Sequence, residues 1–304
     1  MEKNKSRFNT KTPFWYKNLP ARAAPLEDAS KNASLDGSLI GINDSYLEVS
    51  RAATVLRGGF IFFGLAALLM LCVFVPSTVS FFFPPQSLIL VGSLLISEIS
   101  LFYYAVFMIW LDCNIPRDCP ARFNRANGKV SVIDYNLSLN PFLRRRVELK
   151  IFDWEDIEAE LTKQAGFNGK AYVVRYALVL VICKHGSDEV LDRITLKGNE
   201  ITSQSLDAMW AYIRRFMVEG KSNLPFEIPR IQAISFRRSF FTYMPYFDPS
   251  SEGADFRNRM DWFDWIIALL MMWLFWIWLP MGLCHYIAMK CAPEPHWPAE
   301  MDVH

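Results

Sequence analysis

Between Gly58 and Leu111 the chain carries one charged side chain, Glu98, and from Trp265 to Cys284 it carries none. A backbone in hydrocarbon must satisfy its amides internally, so runs of this length and polarity predict bilayer-spanning helices. They exclude a wholly soluble fold. The first run is too long for one crossing. Pro84 and Pro85 cannot continue a helix, so they divide it into a hairpin, with spans of about Gly59–Phe81 and Ser87–Leu111. The Trp-, Leu- and Met-rich segment from Asp264 to Tyr286 predicts a third span, with Trp262, Trp265 and Tyr286 as interfacial anchors.

Positive charge sets the expected orientation. Arg51 and Arg57 precede the first span, the hairpin turn is uncharged, and Arg117, Arg122, Arg125 and Lys129 follow the second. The positive-inside rule therefore places the N-terminus and the large middle segment in the cytoplasm. Three crossings then put the C-terminus in the periplasm. The first residues, MEKNKSRFNTK, lack the apolar core of a cleavable signal peptide. The 32 Lys+Arg against 31 Asp+Glu leave a net charge of +1, which excludes a strongly basic nucleic-acid binder.

The middle segment alternates as strands do. Ala121–Asn124 leads through a turn ending in Asn127-Gly128 into Lys129–Tyr135, and Val147–Trp154 alternates again. Tyr172–Lys184 and Val190–Leu196 flank the turn His185-Gly186-Ser187-Asp188. One amphipathic helix follows, Ser205–Glu219, with Leu206, Met209, Ile213 and Phe216 on one side and Gly220 at its end. Five or six antiparallel strands closed by one helix predict a pleckstrin-homology-like domain. The expected fold class is a membrane protein of α+β type. Its parts are an N-terminal cytoplasmic arm (1–57), read as largely disordered, and a transmembrane hairpin (58–111). A pleckstrin-like domain (112–220) and a basic aromatic interfacial linker (221–263) come next. The third span (264–286) and an outward-facing tail (287–304) complete it.

Few residues invite chemistry. Glu98, beside Ser93 and Ser97, is costly in a bilayer by about 2.5–3.5 kcal/mol if ionised, so it is expected to face another helix rather than lipid. Arg144, Arg145 and Arg146 in the domain, and Arg237 and Arg238 in the linker, are candidates for anionic lipid headgroups or a protein partner. Asp153, Glu155, Asp156, Glu158 and Glu160 read as a solvated edge, with Trp154 and Ile157 pointing inward. Cys284, His285, Cys291 and His296 match no tight ligand spacing, so no metal and no cofactor is expected. A Cys284–Cys291 disulfide stays open if the tail is outside. No nucleotide-binding or hydrolase motif occurs, and an enzyme is not expected.

The middle segment resembles a family of bacterial inner-membrane proteins, built as a two-helix hairpin plus a pleckstrin-like domain and associated with type VI secretion toxins. The likeness rests on Arg122-Phe123-Asn124-Arg125, Gly128-Lys129-Val130, Asp153-Trp154-Glu155-Asp156-Ile157 and the helix around Trp210. The resemblance implies an immunity or accessory role and carries no catalytic residues. The expected function is a non-enzymatic immunity protein neutralising a cognate, membrane-targeting toxin. Its partners would be the bilayer and that toxin. The alternative is a membrane-tethered scaffold binding lipid headgroups or a cytoplasmic protein.

Overall fold

A computed structural model describes residues 6–8, 12, 14–26, 33–52, 57–81, 87–135, 147–167, 172–230, 233–294 and 296–298. The candidates Arg144, Arg145 and Arg146 and the hairpin turn at 82–86 lie outside the described residues.

Three strands come from the arm expected to be disordered: β1 (Trp15–Asn18), β2 (Leu39–Ile42) and β3 (Tyr46–Val49). Too short to announce themselves by periodicity, they form because they complete other sheets. Leu35, Leu39, Leu47 and Val49 are wholly buried. The apolar surface they remove from water, at about 25 cal/mol per Å², holds the arm in place.

Two long helices follow, α1 (Gly59–Ser80) and α2 (Leu88–Asn114), both long and apolar enough to cross a membrane. Most of their large side chains are exposed, as in Leu69, Val73, Ile96 and Ile99. Such surface is at home in lipid rather than water. Gly64 allows the close approach of the two helices, since a Cβ there would meet the Ala105 carbonyl oxygen at 2.8 Å.

The chain then returns to strands: β4 (Ala121–Asn124), β5 (Lys129–Tyr135), β6 (Val147–Asp153), β7 (Ile157–Phe167), β8 (Tyr172–Cys183) and β9 (Val190–Glu200). Gly128 and Gly186 take positive φ in the two expected turns. The sheets run β2-β3-β4-β5-β6 and β1-β7-β8-β9, all neighbours antiparallel. A single 3₁₀ turn at Trp154–Asp156 carries the chain from one sheet to the other. Both sheets contribute to one core, and α3 (Gln204–Glu219) closes it with Leu206, Met209, Trp210, Ile213 and Phe216.

The order of β3 and β4 matters most. They are direct neighbours, with Val49 opposite Ala121, yet the whole α1–α2 hairpin lies between them in sequence. The apolar hairpin is an insertion into a β-hairpin, and the sheet holds its two feet together.

After α3 come α4 (Phe236–Phe240), α5 (Ser251–Asn258), α6 (Trp262–Met272) and α7 (Phe275–Cys291). The segment expected as one third span is two helices, bent by 90° at Trp273–Leu274. The tail expected to face away from the folded domain packs on it. Arg117 bonds the Met289 and Pro293 carbonyls, and the Trp297 indole donates to Glu48 Oε1 at 2.7 Å.

Candidate functional site

The feet of the hairpin form a neck where the folded domain, both long helices, the linker and α7 meet. Arg51 leaves β3 and stitches the two sheets, its guanidinium donating to the carbonyls of Ile133 and Thr195, both at 2.9 Å. Burial pulls this guanidinium below its usual range, and Asp134 and Asp118 oppose that pull. Asp118 accepts from the Arg51 amide and the Ser50 hydroxyl. Arg57 donates to the carbonyls of Ile115 and Pro116, which closes the second foot on the first.

Asp112, at the end of α2, performs an unusual capping role. Its carboxylate is buried and accepts the Ile61 amide at 2.9 Å, with the Gly58 and Phe60 amides also directed to it. These are amides that the first turn of a helix leaves without intrahelical partners. A residue 51 positions away thus caps α1 across the helix pair, which fixes the depth of one foot against the other.

Gly58 sits at φ +81°, and a Cβ there would lie 2.3 Å from the His285 backbone nitrogen. Only glycine allows α7 to touch the start of α1. Around this point Ile61, Cys284 and Ala288 form a small buried cluster with Phe62, Ile109 and Cys113 against it. The Tyr243 hydroxyl donates to the Arg57 carbonyl, and its ring meets His285 edge to face at 5.8 Å. Burial, aided by Asp112, pushes the Tyr243 hydroxyl up to about 12, so it stays a neutral donor. In an unfolded chain tyrosine ionises near 10. Its share of the stability is therefore complete below pH 10 and is lost as pH rises through 12. In detergent the thermal midpoint should fall more steeply between pH 10 and 12 for the native chain than for Tyr243→Phe.

The residues singled out in the sequence are dispersed. Glu98 faces α1 and accepts from the buried Thr78 hydroxyl at 2.6 Å, tying the two helices together. Ser93 and Ser97 turn outward and bond the carbonyls of Leu90 and Leu94 in their own helix. Glu98→Leu and Thr78→Val should each destabilise the hairpin by about 1 kcal/mol, and the double variant by little more than one of them. A double-mutant cycle read by thermal unfolding in detergent measures that coupling.

Arg237 and Arg238 each lie beside an acidic side chain. Arg238 grips Glu252 through two nitrogens, at 2.5 and 3.3 Å, and Arg237 lies 3.6 Å from Asp248. In the acidic run Asp153 and Glu155 are exposed as the solvated-edge reading expects, but Glu160 departs from it. Glu160 is wholly buried, paired with Arg193 at 2.9 Å and with the Thr12 hydroxyl. Ile157 points inward as expected, and Trp154 packs between Phe123 and Trp210.

Among the described residues no group of three or more His, Cys, Asp or Glu side chains is placed to hold a metal ion. All six cysteines are free, and Cys284 and Cys291 are separated by two turns of α7. The neighbour of Cys291 is Cys113 on α2, close enough for the two thiols to influence each other. Sequence reasoning missed this neck because its ties are carbonyls, a glycine and single side chains far apart in the chain.

Fold and neck define an α+β chain with antiparallel sheets, from which two helices long enough to cross a bilayer emerge between paired strands. The chain belongs to the DUF6708 family, a family of unknown function whose model matches residues 98–304. No curated protein and no solved structure matches it.

Proposed function

We propose that this is a non-enzymatic immunity protein of the bacterial inner membrane, neutralising a cognate type VI secretion toxin that attacks the bilayer. Its folded domain is pleckstrin-like and faces the cytoplasm. The type VI link comes from the resemblance. The observation that supports a partner within the membrane is the outer side of α2. There Gly92 has nothing within 4 Å of a built Cβ, and Ser93 and Ser97 are exposed. Small and hydroxyl-bearing positions let a second helix approach closely in lipid. The neck holds that surface rigidly to the domain, so a contact made at either end restrains the other. Co-expression with candidate membrane-targeting type VI toxins tests the reading. Protection that is lost in a Gly92→Leu/Ser97→Leu variant supports it, and equal killing with and without the native protein refutes it.

A second reading, a membrane-tethered scaffold, is favoured by a groove of about 800 Å³ beside α3. Pro20, Leu26 and Trp210 give it an apolar floor, and Lys17 and Asp207 pair at 2.8 Å on its rim. Such a groove suits a segment of a cytoplasmic protein. Ala208→Trp would fill it. Loss of a cytoplasmic protein that co-purifies with the native chain, in that variant at unchanged expression, would favour the scaffold.

A further inference from the structure

We infer that α6 and α7 form a bent shelf embedded in the leaflet next to the folded domain, so that the chain crosses the bilayer twice and the segments before α1 and after α7 lie on the domain's side. This rests on reading α1 and α2 as a bilayer hairpin and is independent of the toxin.

Both ends of the shelf are tied to the neck. Ahead of it, Tyr243 bonds the Arg57 carbonyl at the foot of α1. Behind it, α7 ends against Gly58, Ile61 and Cys113. The tail continues directly onto the β-domain. Arg117 pairs with Glu294 at 2.6 Å, and Trp297 stacks on Arg122 while its indole bonds Glu48. An odd number of crossings would separate Cys291 from Cys113 by the hydrocarbon thickness, roughly 30 Å. Here they are neighbours.

Charge decides that α7 lies along the surface rather than in the depth. The linker runs beside the middle of α7, so close that a Cβ on Gly282 would lie 2.3 Å from the Phe240 carbonyl oxygen. Phe247 stacks on Trp278 at 5.6 Å. The pairs Arg238–Glu252 and Arg237–Asp248 travel with these rings, as does Arg257, which bonds the carbonyls of Tyr246 and Asp248. A transverse α7 would carry this set of ionised groups into hydrocarbon, at about 2.5–3.5 kcal/mol or more for each.

The occupant of the uncovered face of α6 is lipid. Its 11 residues span about 16 Å, half of the hydrocarbon, and only Ala268 is buried. Asp261 and Asp264 form a capping box at its start, directly after Arg257 and Arg259. These charges keep that end at the headgroups. Trp262 and Trp265 at the start of α6 and Trp273 and Trp276 at the bend are exposed, and tryptophan favours the interface over the bilayer centre. At the break the amides of Trp273 and Leu274 bond the carbonyls of Leu270 and Met271, so a lipid-facing bend leaves few backbone groups without a partner.

The full chain in native membranes tests this. Mild copper-phenanthroline oxidation, followed by peptide mapping, should give a Cys113–Cys291 disulfide that Cys113→Ser abolishes. A tag after His304 and a tag in the turn at Gly186 should be cut by protease in the same vesicle orientation. Tags cut in opposite orientations, or absence of the Cys113–Cys291 link with Cys113 and Cys291 otherwise reactive, would overturn the shelf. Release of the chain by alkaline carbonate would overturn the hairpin reading and the shelf together. Failure to protect against a toxin touches neither readout.

Discussion

Gly58→Val should disconnect α7 from the hairpin. The residue is held at φ +81°, which costs a β-branched side chain at least about 1–2 kcal/mol. The new Cβ would also enter the His285 backbone, and neither the α1 foot nor the helical backbone of α7 can give way without loss of the Asp112 cap or of the Ile61–Ala288 contact. Taken together, about 3 kcal/mol or more is expected, from strain and from an opened cluster. Three consequences can be measured. The thermal midpoint in detergent falls. Cross-linking between Cys113 and Cys291 drops several-fold. The groups that Tyr243 and His285 now shield become accessible. Gly58→Ala shares the φ penalty and the clash and should fail in the same direction. If both variants cross-link like the native chain, the neck is not the joint described.

Trp210→Ala should damage the folded domain itself. Trp210 is 1% exposed, lies 5.6 Å from Trp154 and donates from its indole to the Pro20 carbonyl at 2.9 Å. Its removal leaves a cavity between the sheets and α3 and an unpaired carbonyl in the N-terminal segment. Phe/Trp→Ala changes in cores cost about 3–5 kcal/mol, a large part of an ordinary domain's stability. The arm should come loose first, because β1 and the stretch through Arg22 hang on Trp210 and on the buried Arg214, which bonds the Arg22 and Ala24 carbonyls. Limited proteolysis should therefore cut near residue 20 in the variant before it cuts in β7 or β8. Trp210→Phe keeps most of the volume and loses only the hydrogen bond, so it should cost about 1 kcal/mol. Equal protease resistance of Trp210→Ala and the native chain would refute this account of the core.

These two positions show how unevenly the protein is written in its sequence. Trp210 falls on the apolar stripe of an amphipathic helix, and the stripe predicts its burial. Gly58 falls at the edge of an apolar run, and nothing beside it in sequence speaks of His285, 227 positions on. The same contrast separates β4, β5, β6, β8 and β9 from β1, β2 and β3. The former alternate over enough residues, or flank turns clear enough, to declare a strand. The latter are four residues each and are stabilised by partners they meet only after folding. Glu160 misled for a related reason. A carboxylate beside four others reads as solvated until Arg193, from a strand two places over in the sheet, supplies its counter-charge.

Local physics alone determined the two long apolar helices, the antiparallel strands after them other than β7, the turns at Gly128 and Gly186, and the closing helix. Each follows from the period, length or φ requirement of adjacent residues. Tertiary structure decided that the arm is part of the β-domain, that the hairpin is inserted between paired strands, and that the last apolar segment bends and brings the tail back to Glu48. Those outcomes depend on which distant groups satisfy one another: an aspartate with another helix's amides, an arginine with far carbonyls, a glycine with a crossing backbone. Such pairings leave no periodic trace along a chain.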